Sequence, residues 1–308
     1  HVEPSLELDE AATYELRKAF VNGWDPLMGA ALNDDDHTLV WGKGVPPVPE
    51  PGAIRVITGS VTNEFMTLEE AFESITADCR VEIVAGIVWW TDDLEVAHNV
   101  VLTTASDSGY VPAQVWRESG KMLVKPSASL TIENLTIDGD DCVVHYEMIN
   151  VAANGELTLG DGAYITNHLG LENNYSAAIY VNHGKVTMLE GSEITDCVNV
   201  FYDQLKGNHG FAGAIYAQSS VVELLGGSIS DCYSLYAGAL CLRGESKGYI
   251  GDKTYLNDLV VDSTSTLLLA SPLTAGAKSV GRGYDSSKLN SDFDYVAEIE
   301  DLNTWTNE

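Results

Sequence analysis

Hydrophobic and polar residues alternate at every second position through the middle of the chain, a pattern typical of β-strands with one buried face. Three segments align on one another, at residues 155–168, 184–197 and 219–232, and a weaker copy lies at 130–139. A second shared strand precedes each block of alternating residues, at 148–151, 178–181, 214–217 and 239–242. Short strands repeating with a period near 30 residues predict a β-solenoid in which each strand pairs in parallel with its next copy.

This pairing would place equivalent residues one above another in columns. Leu157, Val186 and Val221 are expected to share a column that points into the core. Glu223 interrupts the alternation, so we expect a local shift that turns Leu224 inward instead. The predicted fold is therefore all-β, with an apolar interior formed by stacked turns of the chain.

The turns between strands supply two further columns. Asn167, Asp196 and Asp231 fall at one turn, where short polar side chains can bond the backbone of their own or a neighbouring turn. The next position holds His168, Cys197 and Cys232, which we expect to be buried packing. A Cys197–Cys232 disulfide is the less favoured alternative, since five cysteines are too few for a disulfide framework.

The regions before and after the repeats have different patterns. A capping box at residues 67–70 opens a short amphipathic helix that can cover the first layer of strands. Residues 1–51 predict an appendage with a helix after Asp9 and a proline-rich neck. The expected divisions are thus an N-terminal appendage over 1–51, a β-solenoid over 52–285 and an acidic C-terminal segment over 286–308.

Charge narrows the range of partners. The chain has 46 acidic and 16 basic residues, a formal net charge of −30. Such a charge repels the phosphates of nucleic acids and anionic membrane surfaces, so neither is expected as a partner. No apolar stretch approaches the length of a membrane-spanning helix, so membrane insertion is not expected either. Oligomeric state stays open.

The repeat motifs identify a family resemblance. Ala212-Gly213-Ala214-Ile215-Tyr216, followed by residues 226–231 with the sequence Gly-Gly-Ser-Ile-Ser-Asp, resembles the repeats of bacterial secreted and cell-surface right-handed parallel β-helix proteins of the pectin-lyase-like fold. The resemblance extends over roughly residues 53–285, with Asp where the family usually has Asn. It implies a right-handed parallel β-helix and an extracellular or cell-surface location. It does not select a function, since the fold supports lyases, hydrolases and adhesive proteins alike.

Acidic residues give the catalytic and metal alternatives. Gly139-Asp140-Asp141-Cys142 resembles a motif of polygalacturonases, which would make Asp140 and Asp141 the catalytic pair of a glycoside hydrolase or lyase. No Asp occurs between Gly109 and Ile137, so the expected third carboxylate is missing. Asp138, Asp140 and Asp141 are also candidate ligands for Ca²⁺, and no other cofactor is expected. A polar turn at the end of one coil is the simpler interpretation, with no catalytic residue.

Aromatic residues provide the leading binding hypothesis. If Ile179 and Val181 point inward, then Tyr180 faces outward, with Tyr216 above it and Asn150 below it. Exposed stacked tyrosines suit a glycan or an extracellular protein. We therefore expect a surface adhesin or ligand-binding module that uses Tyr180, Tyr216 and Asn150. A polysaccharide-active enzyme and a passive stalk are the alternatives, and the 199–211 insertion is expected either to leave this column open or to cover it.

Overall fold

In the computed structural model the chain divides into two compact units, His1–Val48 and Pro49–Glu308. The structure describes residues 29–33, 38–42, 50–109, 112–139, 143–144, 146–170, 175–199, 202–203, 208–234, 236–251, 254–256, 259–262 and 264–270. The described part of the first unit is an antiparallel hairpin of Gly29–Asn33 and Thr38–Gly42. The predicted helix after Asp9, most of the proline-rich neck and the acidic segment 286–308 lie outside the described residues.

The second unit is all-β in its described part apart from one short helix, and its strands form long sheets that are mostly parallel. The exception is Ile54–Thr58, which pairs antiparallel with both of its neighbours. Along the chain, successive strands enter sheets that we number 1, 2 and 3 in turn, and each then pairs with the strand of the next cycle. This stacking of parallel strands confirms the predicted pairing and is compatible with a β-helix-like solenoid. No helix among the described residues is long and apolar enough to span a membrane.

The strand boundaries follow this cycle. Sheet 1 contains Leu94–Val96, Met122–Val124, Ile149–Val151, Ile179–Asn182, Ile215–Gln218, Leu240–Arg243 and Leu259–Val261. Sheet 2 contains Val61–Phe65, Ile54–Thr58, Cys79–Ile83, Asn99–Thr104, Ser129–Glu133, Glu156–Leu159, Lys185–Met188, Val221–Leu224, Lys247–Ile250 and Thr266–Leu269. Sheet 3 contains Ile87–Trp90, Ala113–Arg117, Leu135–Asp138, Ala163–Thr166, Glu193–Thr195, Gly227–Ser230 and Thr254–Leu256. A smaller sheet 4 contains Val143–Val144, Leu169–Gly170, Val198–Asn199 and Tyr233–Ser234, and Tyr202–Asp203 pairs with Asn208–His209 as a hairpin.

Helix α1, Leu68–Glu73, packs at the start of the sheets and confirms the predicted capping box. The Thr67 hydroxyl accepts from the Glu70 amide at 3.2 Å, which satisfies one of the unpaired donors of the first turn. The buried face of the helix consists of Leu68, Ala71 and Phe72. Burying this face offsets the exposure of the first layer of strands, which has no earlier turn to cover it.

The interior columns are apolar, and the register contains one departure from the expected alignment. Leu157 pairs with Val186 as predicted, but Val186 pairs with Val222 and not with Val221. Val222 and Leu224 are buried, whereas Glu223 lies on the outward face. The predicted column through Val221 was therefore wrong by one residue, and the predicted inward turn of Leu224 is confirmed. Burying a charged Glu223 would cost more free energy than this one-residue shift.

The turns after sheet 3 hold the predicted polar column. Asn167, Asp196 and Asp231 have φ values of 56°, 53° and 52°, in the left-handed region that Asn and Asp tolerate better than most residues. The following residues, His168, Cys197 and Cys232, are buried as predicted. Cys197 and Cys232 are not joined by a disulfide. Burial is the first cause of the raised pKa of the Cys197 thiol.

Candidate functional site

The outward face of sheet 1 carries the predicted column. Asn150 pairs with Tyr180, Tyr180 pairs with Tyr216, and Tyr216 pairs with Cys241 in adjacent strands. The flanking Ile179 is buried in the core, so alternation alone turns Tyr180 away from it. The rings of Tyr180 and Tyr216 lie 5.3 Å apart and within 8° of parallel, close to the spacing of the strands that hold them.

Tyr216 forms the buried base of this column. Its exposed fraction is 0%, and the Phe211 ring lies 4.9 Å from it. The Tyr236 ring lies 5.7 Å from the Phe211 ring, and the Arg243 guanidinium lies 4.5 Å from the Phe211 ring centroid. The Tyr216 hydroxyl donates to Gln218 Oε1 at 2.7 Å, which satisfies its polar end. The ring of Tyr216, which was predicted to bind a ligand, is thus covered. At this end of the column the 199–211 insertion covers the tyrosine, as one of the two expectations had it.

Close backbone approaches position the segment that covers Tyr216. A Cβ atom on Gly210 would lie 2.7 Å from the Asn199 backbone carbonyl oxygen, so a larger residue there would force the backbone apart. The Ser234 hydroxyl donates to the Gly210 carbonyl at 2.6 Å. Phe211 follows directly and is itself buried. The start and end of the insertion therefore meet, and its end places Phe211 on Tyr216.

Tyr175 and Tyr180 form the open end of the column. Tyr180 is half-buried, and the exposed fraction of Tyr175 is 43%. The Tyr175 ring lies 5.3 Å from Tyr180 and 5.7 Å from Tyr216. Burial is the main cause that raises the pKa of Tyr180 to about 12, with smaller contributions from Tyr175 and Glu147. The Tyr180 hydroxyl therefore stays protonated, and able to donate, at neutral pH.

His168 holds the loop of Tyr175 from below. Its Nε2 lies 2.8 Å from the Ser176 carbonyl and its Nδ1 lies 3.3 Å from Arg117 Nη1. Because Arg117 can only donate, Nδ1 must accept and Nε2–H must donate to Ser176. Burial, with the nearby Arg117 charge, lowers the pKa of His168 to about 3, so the ring is neutral. The loop also passes so close to Gly170 that a Cβ there would lie 2.5 Å from the Ser176 Cβ.

A polar cluster lies beside the tyrosines, around Asn150. The Asn150 amide donates to Glu147 Oε1 at 2.5 Å, and the Lys121 ammonium donates to the same oxygen at 3.3 Å. The Glu147 side chain is only 6% exposed. Lys121 also lies 5.5 Å from the Tyr146 ring centroid, a cation–π distance. Together these residues place hydrogen-bonding groups next to an aromatic surface.

The acidic candidates receive less structural support. Asp138 is buried and accepts from the Asn167 amide at 3.1 Å, which is a turn-to-turn bond. Asp140 and Asp141 lie outside the described residues, so their catalytic role stays a prediction. Within the described ranges, no group of three or more His, Cys, Asp or Glu is arranged to hold a metal ion. Calcium binding also stays a prediction.

Sequence reasoning missed Tyr175 and Glu147, and it included Phe211 only as the end of the insertion that could cover the column. Tyr175, Phe211 and Tyr236 each lie four residues before a strand of sheet 1, at Ile179, Ile215 and Leu240, so the repeat itself carried a signal that could have found them. Glu147 comes directly before a shared strand, a position that could have marked it as a neighbour of the column. Comparison of the chain with protein-family models, with curated proteins and with solved structures gave no match. Function must therefore be inferred from the chemistry of this face.

Proposed function

We propose that the chain is a right-handed parallel β-helix of the bacterial pectin-lyase-like kind and that it acts as an extracellular surface adhesin or ligand-binding module. Its partner would be a glycan or an extracellular protein, bound on the outward face of sheet 1. The parallel strand order and the Asx turns support the fold assignment. The repeat motifs described above supply the rest of that assignment.

One observation carries the binding proposal: an exposed tyrosine ring rests on a buried aromatic base. Tyr175 packs on both Tyr180 and Tyr216 while much of its own surface remains exposed. Rings already fixed by packing lose little conformational entropy when a ligand orders them. Aromatic rings also offer apolar faces together with hydroxyl groups, which suit sugars and protein side chains. Tyr216 then acts as a support for the contact residues.

The test is a paired array of glycans and extracellular proteins. Tyr175→Ala and Tyr180→Ala should each weaken binding by about tenfold or more, as expected for aromatic anchors worth about 1.4 kcal/mol or more. Tyr255→Ala is the matched control, since Tyr255 has an exposed fraction of 42% on sheet 3. Binding by the wild type that neither tyrosine variant changes would contradict the proposal.

The alternative functions give different outcomes in the same samples. A polysaccharide-active enzyme would turn over substrate and would lose that turnover in Asp140→Ala and Asp141→Ala. The binding proposal expects no effect of these two variants on ligand capture. A passive stalk would give no signal on either array and no turnover.

A further inference from the structure

The stack of rings ends abruptly between Tyr180 and Asn150. One face of Tyr180 lies against Tyr216, and the neighbour on its other side in the column is the much shorter Asn150. Tyr175 is almost equidistant from the other two rings, so it lies beside the stack and does not cover that other face. The column therefore has a step, with an aromatic face as its wall and Asn150 at its foot.

The foot of the step is built from fixed polar groups. Glu147 Oε1 accepts from both Asn150 and Lys121, whereas no described residue donates to Glu147 Oε2. A carboxylate that is nine-tenths buried and satisfied on one oxygen retains capacity to accept hydrogen bonds on the other. Its influence on the pKa of Tyr180 agrees with its position near that ring. The step thus combines a ring face, an acceptor and amide and ammonium donors.

Charge restricts what this step can bind. Lys121 is paired with Glu147, and the nearby Arg117 guanidinium is fully buried, so neither cation is free at the surface to attract an anionic sugar. The net charge of −30 adds a repulsive field for uronic acids. Glu147 is in turn neutralised by Lys121, which removes the main attraction for an amino sugar. The groups that remain are an acceptor, Glu147 Oε2, and the Asn150 amide. The neighbouring hydroxyl groups of a neutral sugar can donate and accept hydrogen bonds, so they match these groups.

We propose that the step between Tyr180 and Asn150 is a subsite for one pyranose ring of a neutral glycan. The apolar face of the sugar stacks on Tyr180, and its hydroxyls donate to Glu147 Oε2 and bond the Asn150 amide. This inference rests on the proposed binding function and specifies its ligand. It makes Glu147 and Asn150 contact residues.

The experiment measures Kd by titration calorimetry with four hexasaccharides. Cellohexaose and mannohexaose are neutral, hexagalacturonate is anionic, and the chitosan hexamer is cationic. We expect a neutral hexamer to bind most tightly. Asn150→Ala and Glu147→Gln should each raise its Kd by about tenfold, as for loss of one hydrogen bond to a charged or amide group. Asn99→Ala, on sheet 2, is the control and should change nothing.

The outcomes separate this inference from the proposed function. Binding that depends on Tyr175 and Tyr180 but not on Asn150 or Glu147 would retain the function and overturn the subsite. The same holds if hexagalacturonate or the chitosan hexamer binds best, or if the tyrosines capture only proteins. Silence of all four sugars and of the protein array would overturn both. Thermal unfolding of each variant checks that it is folded. If Glu147→Gln does not fold, the result for Asn150→Ala alone decides the test.

Discussion

Tyr216 and Tyr180 occupy the same column of the same sheet, one strand apart, yet Tyr216 is fully buried and Tyr180 is only half-buried. Their backbones are equivalent, and both rings face away from the core. The difference comes from what lies above them. Phe211, backed by Tyr236, covers Tyr216, whereas the Tyr175 ring lies beside Tyr180.

The two ends of the column therefore differ in structure: one is packed and covered, and the other is accessible. The covered end forms a second small apolar cluster outside the main core, which includes Phe211, Tyr216 and Tyr236. This cluster fixes the rings at the open end, where stacking leaves a face available. A repeating sheet can thus keep part of one face accessible when loops of unequal length cover it unequally.

The largest predicted effect lies at the covered end. Tyr216→Ala should lower the free energy of unfolding by about 3–5 kcal/mol, because it removes a fully buried ring and leaves a cavity. Tyr175→Ala should cost only about 1 kcal/mol, since 43% of this residue is exposed already and its removal leaves no closed cavity. Chemical denaturation of both variants checks the contrast. If Tyr216→Ala and Tyr175→Ala lost the same amount of unfolding free energy, Tyr216 could not be the buried base of the column.

A second prediction concerns the support beneath Tyr175. The folded pKa of His168 is lowered from 6.5 to about 3, so the stability it contributes is present above pH 6.5 and is lost as the pH falls toward 3. His168→Gln keeps hydrogen-bonding groups but cannot become charged. Between pH 6.5 and 4 the wild type should lose about 2–3 kcal/mol more unfolding free energy than the variant. Parallel stability curves would show that His168 is not held neutral.

The smallest effect is expected at alkaline pH. Burial raises the pKa of Tyr180 from 10 to about 12 and raises the pKa of Tyr216 further. The stability that Tyr180 contributes is complete below pH 10 and is lost as the pH rises through about 12. Tyr180→Phe should remove this part of the loss of unfolding free energy at alkaline pH. Chemical denaturation of both proteins at pH values from 9 to 11.5 measures the difference. If the unfolding free energy of the variant had the same pH dependence as that of the wild type, the pKa of Tyr180 would not be raised by burial.

The repeating part of the molecule was predictable because alternation and period act on every strand. Helix α1 and the pairing of Asn150, Tyr180 and Tyr216 all followed from such local patterns. The one-residue shift at Val222 followed from the cost of burying Glu223, although the column itself was assigned to Val221. Periodic signals determine which face a residue occupies.

The cover of the face was not predictable in the same way. Phe211 and Tyr175 lie in loops whose paths depend on close approaches at Gly210 and Gly170. These approaches differ between the two loops, since Gly170 meets Ser176 and Gly210 meets Asn199, so the repeat fixes the position of each ring but not how far it covers the column. The sequence therefore indicated the column but left open which of its rings a ligand could reach.

Tyrosine nitration under native conditions, mapped by mass spectrometry, tests the central contrast most directly. Tyr233 and Tyr255, exposed on sheets 4 and 3, serve as internal standards for a reactive ring. We predict that Tyr175 is nitrated at a rate similar to these standards, Tyr180 more slowly, and Tyr216 only after denaturation. Nitration of Tyr216 in the folded protein as fast as that of Tyr175 would contradict the account.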